Sequence, residues 1–93
     1  MMYDLQYDET ALEDIRKIKK SGNKPLFKKL TKILHELEDH PRTGTGQVEH
    51  LKHFLFEETW SRRLNKEYRI IYEIHDDVVV VKILSVLGHY GAK

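Results

Sequence analysis

Trp60-Ser-Arg-Arg-Leu-Asn-Lys-Glu-Tyr-Arg-Ile-Ile-Tyr72 carries the clearest periodic signal in the chain. Tyr68, Ile70, Tyr72 and then Ile74 share one parity, while Arg69, Ile71 and Glu73 share the other. Alternation of this length predicts a strand with two unlike faces. Arg62, Arg63 and Arg69 ride on or beside it. A guanidinium keeps its charge and matches phosphate oxygens with a planar fork of donors. A strand that must pair with its neighbours is therefore also holding cations in place.

Working outward, residues 60–64 read as the strand before, with Asn65-Lys66-Glu67 as a tight link. Asp76-Asp77 reads as a hairpin turn into an apolar strand over 78–87, interrupted only by Lys82 and Ser85. Such a run suits a central or doubly covered position. Gly88-His-Tyr90 is expected to leave the sheet. Upstream, Val48, Glu49, Leu51 and 54–56 predict a strand with irregular ends. The loop Arg42-Thr-Gly-Thr-Gly46 has too few glycines, wrongly spaced, for a phosphate cradle.

The first half reads as a short strand over 2–7 followed by two helices. Asp8 is expected to cap the first, with Leu12, Ile15 and Ile18 as its apolar stripe. Glu9, Glu13 and Asp14 suit the positive end of its dipole, and Lys19 and Lys20 the other end. Ser21-Gly22-Asn23 breaks it. The second helix starts near Lys24 with Pro25 in its first turn and stops before Pro41. Phe27, Leu30, Leu34 and Leu37 line it, widened by Leu26 and Ile33. The expected order is β-α-α-β-β-β-β: an α+β fold with a mainly antiparallel, twisted sheet and a helical hairpin on one face.

The chain has 93 residues, which fits a single domain over 1–93. Apolar residues make up 40%, enough for a folded core. Cysteine is absent, so disulfides and thiolate metal sites are excluded. The start, Met-Met-Tyr-Asp-Leu-Gln-Tyr, lacks the marks of a signal peptide, and no apolar run is long enough to span a bilayer. A cytoplasmic protein without a membrane partner is expected. Net charge is only +1, yet eight Lys and Arg fall between Ile15 and Ile33 with no acid among them. A basic field of this kind attracts phosphate backbones, although it also reads as a solvated helical face.

The six histidines form no metal-ligand spacing, and no nucleophile motif is present. What remains is a metal-free acid–base set. RNA cleavage needs a base for the ribose 2′-hydroxyl, a cation for the phosphate and an acid for the departing 5′-oxygen. Glu49, Arg69 and His89 are the candidates, although each also reads as an ordinary surface group. Trp60 reads as a packing aromatic.

Val48-Glu-His-Leu-Lys-His53, the stretch from Trp60 to Tyr72 and Gly88-His-Tyr90 closely resemble the YoeB (Txe) toxins. These belong to the RelE/ParE superfamily of bacterial toxin–antitoxin systems, and the likeness covers nearly the whole chain. It implies a RelE-like fold and a ribosome-dependent endoribonuclease. Such an enzyme cuts mRNA in the A site through a 2′,3′-cyclic phosphate, with no metal or cofactor. Matched position by position, Glu49 would be the general base, His89 the general acid and Arg69 the transition-state cation. Tyr90 would position or stack on a nucleotide, and Lys52 and Arg63 would hold backbone phosphate. Strand parity separates Arg63 from Arg62, and the resemblance selects Arg63. It also implies a homodimer and a YefM/Phd-like antitoxin whose disordered tail folds over the toxin. The family's histidine–tyrosine pair typically closes the chain, whereas Gly91-Ala-Lys93 follows here, and His50 stands where a proline is expected. The ParE branch offers another class of function, a non-enzymatic toxin that inhibits a protein such as gyrase and needs no acid–base set. A third is an RNA-binding remnant without activity.

Overall fold

The computed structural model describes residues 2–89, His89 by its backbone alone. Strand β1 (Asp4–Tyr7) leads into helices α1 (Glu9–Ser21) and α2 (Lys24–Asp39), followed by β2 (Glu49–His50), β3 (Thr59–Arg63), β4 (Tyr68–His75) and β5 (Val80–His89). The strands form one five-stranded sheet in the order β1-β5-β4-β3-β2. From β2 to β5 the chain meanders antiparallel; β5 then lies parallel to β1, Asp4 against Val80 and Tyr7 against Ile83. The helical hairpin is the crossover that a parallel pair requires. The expected α+β order is thus observed, with a mixed sheet.

The core lies between the hairpin and one sheet face. Leu30, Ile33 and Leu37 of α2 and Ala11 and Ile18 of α1 are buried with Ile70, Tyr72, Ile74, Val81, Ile83 and Val86. Gly22 ends α1 with φ 74° and returns its amide to the Lys19 carbonyl. Asn23 then caps α2 by accepting the Leu26 amide at 3.2 Å.

Several local expectations are corrected. Asp8 occupies the cap position of α1 without a side-chain cap bond, and its carboxylate lies 3.5 Å from the Lys82 ammonium. The buried stripe of α1 is Ala11, Asp14 and Ile18, and Leu12 is exposed. Helical spacing carries Asp14 into the core, where Oδ2 accepts the amides of Val86 and Leu87, each at 3.0 Å. The β4–β5 register shifts on either side of Ile71, so the ladder there is irregular, and the carboxylate supplies an acceptor. The strand expected through 56 ends at His50. Beyond it, among the described residues, no strand neighbours Phe54, Leu55 and Phe56, which are 42%, 108% and 36% exposed. Strand β5 begins two residues late because Val79, with φ 54°, closes the turn. It does not end at Leu87: Gly88 pairs with Arg69 and His89 with Tyr68.

Asp14→Ala removes the acceptor of two buried amides, each worth about 1–3 kcal/mol when left unmade. Urea unfolding is expected to show a loss of at least ~2 kcal/mol for this variant. Asp14→Asn, which keeps one accepting oxygen, is expected to lose less.

Candidate active site

The two adjacent arginines of β3 do opposite jobs. Arg62 is completely buried on the helical face. Its Nη1 donates to Glu36 Oε1 at 2.5 Å, and its Nη2 donates to the carbonyls of His40 at 2.8 Å and Thr43 at 2.6 Å. Nε donates to the Tyr72 hydroxyl, which donates in turn to the Pro41 carbonyl at 2.7 Å. Glu36 also accepts the amide and hydroxyl of Thr45 at 2.9 and 2.8 Å. Arg62 therefore ties α2 and the 40–45 loop to the sheet. Gly44 allows this loop to close, because a side chain there would run into Glu36 and Arg62. Its φ of +126° also favours glycine. The loop glycines thus serve packing around an ion pair.

Arg63 lies on the other, open face, where it pairs in register with Arg69. Ser61 pairs with Glu49 on one side and Ile71 on the other. Positions 49, 61, 63, 69 and 71 thus fall on one surface. There Glu49, His50, Leu51, Lys52, His53, Phe54 and Arg69 line an open cleft of about 330 Å³. Glu49 and Arg69, distant in sequence, meet in it because β3 carries both neighbouring strands. Glu49, Lys52 and His53 are exposed, and Arg69 is half-buried. Arg63 shares the face without lining the cleft. The backbone of His89 reaches the same end of the sheet, one residue beyond the Gly88–Arg69 pair. Tyr90 lies outside the described residues. Phe54 is a cleft residue that periodicity misassigned to a strand.

The edge that carries Glu49 is fixed from behind. The His50 ring stacks on Trp60 with centroids 4.5 Å apart, and its Nε2 lies 2.8 Å from the Glu57 carbonyl. Arg42 spans Glu58 and Asp76, 2.8 Å to each, and lies over the Trp60 ring. Tyr3 donates to Asp76 at 2.6 Å. Hydrogen bonds from Arg42 and then Trp60 hold the Glu58 carboxyl below its ordinary range; those from Tyr3 and then Arg42 do the same for Asp76. Trp60 is therefore a packing aromatic, as expected. Among the described residues, no group of three or more His, Asp or Glu is placed to hold a metal ion. A carboxylate and a guanidinium in one open cleft can accept a proton and stabilise an anion, the two demands of phosphodiester attack.

Residues 7–90 match the model of the YoeB-like toxin of bacterial type II toxin–antitoxin systems. The chain belongs to this family. The mRNA interferase toxin RelE of Escherichia coli K12 is 30% identical over 87 residues, covering 92% of this chain and 82% of that protein. The YoeB dimer of Staphylococcus aureus superposes with a TM-score of 0.80 at 27% identity, over 97% of this chain and 100% of that one. The YoeB–YefM complex from the same organism gives 0.75 at 28% identity, with the same coverage. The fold of this YoeB-like toxin is thus that of the YoeB and RelE toxins. No helix in the described residues is long and apolar enough to cross a membrane.

Burial pushes the Glu36 carboxyl up, but Thr45 and Arg62 outweigh burial and leave it below its ordinary range. A depressed carboxylate stabilises the fold above its unfolded pKa, about 4.3, and that contribution is lost as pH falls through the folded value. Glu36→Gln is expected to be less stable at neutral pH and to lose less stability on acidification below about pH 4.3. Denaturant midpoints measured from pH 7 to pH 3 check this. Removing one partner of such a buried pair costs about 3–5 kcal/mol, so Arg62→Ala is expected to unfold at far lower urea than Arg63→Ala.

Proposed function

We propose that this YoeB-like toxin is an endoribonuclease that cuts mRNA in the ribosomal A site by metal-independent acid–base catalysis. The observation that carries the reading is the Glu49–Arg69 cleft on the open face of the sheet. Glu49 takes the proton from the ribose 2′-hydroxyl, and the freed oxygen attacks phosphorus. Arg69 stabilises the charge that builds on the phosphoryl oxygens. His89 gives a proton to the departing 5′-oxygen, which leaves a 2′,3′-cyclic phosphate on one fragment and a 5′-hydroxyl on the other. The roles of Glu49, Arg69 and His89 follow the family resemblance, and the cleft supports the first two.

Lys52 on the cleft and Arg63 beside Arg69 hold backbone phosphates, and Tyr90 stacks on a nucleotide. Arg63 and Arg69 in register gather positive charge on this face, which suits a bound anion. The basic run over 16–32 contacts ribosomal RNA. A YefM/Phd-like antitoxin holds the toxin inactive, in line with the solved YoeB–YefM complex, and the YoeB dimer supports a homodimer. The cytoplasm, where ribosomes translate, is the working compartment.

Mapping message ends on programmed ribosomes tests the reading. Wild-type protein is expected to cut within the A-site codon; an uncut message, or inhibition of gyrase supercoiling in its place, would overturn it. Glu49→Ala and His89→Ala are each expected to slow single-turnover cleavage by about 10²–10⁴. Arg69→Ala is expected to slow it by about 10²–10³. Lys52→Ala and Arg63→Ala are expected to raise KM more than they lower kcat.

A further inference from the structure

The loop over 51–58 runs along the mouth of the cleft, and its base is firmly held. The Leu51 amide donates to the Thr59 carbonyl at 2.8 Å, and the Thr59 hydroxyl to the Phe56 carbonyl at 2.7 Å. The Phe56 ring stacks on His75 at 4.2 Å between centroids. The loop is therefore pinned at the near end by β3 and at the far end by an aromatic contact. Between these anchors Phe54 faces outward, 42% exposed, and lines the cleft beside Glu49, Lys52, His53 and Arg69. Among the described residues its ring has no stacking partner.

A lone exposed apolar side chain is ordinary on a protein surface. The setting of this one is specific. A nucleotide presents a phosphate and, a few ångströms away, a flat apolar base. A cleft that pairs cations with an open aromatic face on a fixed loop offers a partner to each part. Base–aromatic stacking tolerates any sequence because every base has a π-face. An unpaired base can be splayed onto such a ring, which a base inside a duplex cannot. A protein partner would bury the adjacent, fully exposed Leu55 as readily as Phe54, whereas Phe54 lines the cleft and Leu55 does not.

We propose that Phe54 is a stacking platform for one unpaired base flanking the scissile phosphate. The proposal rests on reading the Glu49–Arg69 cleft as the ribonuclease site. Phe54 thereby fixes the register of the message beside Glu49 without hydrogen-bond readout, and adds only a modest preference for strongly stacking purines at that position.

The test compares wild type with Phe54→Ala, Phe54→Leu and Phe54→Trp on ribosomes programmed with one short mRNA. The mRNA is made in versions carrying a single abasic nucleotide at each position flanking the cut. Stacking is worth about 1–3 kcal/mol per base, so Ala and Leu are expected to lower kcat/KM by about 5- to 150-fold, mainly through KM. Trp is expected to retain activity, and all three variants to melt with the wild type. At one abasic position the wild type is expected to fall to the level of Phe54→Ala, and Phe54→Ala to fall no further. Full activity of Phe54→Leu would overturn the proposal, since it would show that apolar bulk suffices, as for a protein contact. An equal loss in Phe54→Ala at every abasic position would also overturn it. If the wild type cuts no message, the nuclease reading of the cleft fails and the proposal with it. If the wild type cuts and Phe54→Ala cuts equally well, only the stacking proposal fails.

Discussion

One buried cation organises this molecule. Arg62 has no exposed surface, and its guanidinium satisfies Glu36, the carbonyls of His40 and Thr43 and the Tyr72 hydroxyl at once. The desolvation of such a charge costs several kcal/mol, and only a nearly complete set of partners offsets it. The partners come from α2, from the 40–45 loop and from β4, so the charge can be buried only when all three are in place. The cation thus selects one arrangement of these parts. The loop it gathers runs straight on into Glu49. A residue wholly inside the protein in this way sets where the edge strand begins, and hence where the carboxylate of the cleft stands.

The sheet divides its labour by parity. Even positions of β3 and β4 face the helices, and Arg62, Ile70, Tyr72 and Ile74 among them are buried. Odd positions, among them Arg63 and Arg69, face away. A slip of one residue between these strands would turn both core and charges inside out, so register is under pressure from both sides. The buried Arg62 adds to that pressure, because on the open face it would lose every carbonyl it now holds. The same constraint that keeps the core apolar therefore keeps the open-face cations together. Consecutive arginines are not redundant here: one is structural and the other is displayed, and the pleat decides which is which.

Strand β4 was legible to the residue, because eight alternating positions leave no other regular structure available. The helix break at Ser21–Asn23 was equally plain, because a left-handed glycine and an asparagine cap are local events. What failed was whatever depended on a distant partner. Phe54, Leu55 and Phe56 have strand-like composition, but a strand needs a neighbour, and β3 is already committed on the stretch that pairs with Glu49 and His50. Asp14 carried a readable signal, its spacing from Ala11 and Ile18, yet a carboxylate on an apolar stripe has meaning only once the irregular end of β5 is seen above it. At the site, parity puts Arg62 and Arg63 on opposite faces, and motif resemblance chooses Arg63. The meeting of Glu49 with Arg69 did not follow from periodicity, since it requires knowing that β3 lies between them. That pairing came from motif resemblance, and so did the assignment of Lys52 to the cleft. Phe54 escapes periodicity because its run with Leu55 and Phe56 has the composition of a strand.

The last strand joins the core of the sheet to the edge of the proposed site. β5 is paired on both sides, parallel to β1 on one and antiparallel to β4 on the other. A fully regular ladder would carry its alternation unchanged to the end. Here the register shifts on both sides of Ile71, and Asp14 accepts the Val86 and Leu87 amides beside the irregularity. Gly88 then lies flat against β4, where a side chain would sit 3.0 Å from Ile71 Cδ1 and 3.1 Å from the Arg69 carbonyl. Each of these features is unfavourable by itself: a carboxylate taken out of water, a broken ladder, a glycine inside a strand. Together they bring the backbone of His89 level with Tyr68, next to Arg69. On the proposed nuclease reading, this combination is what sets the His89 backbone at the end of the strand that carries Arg69.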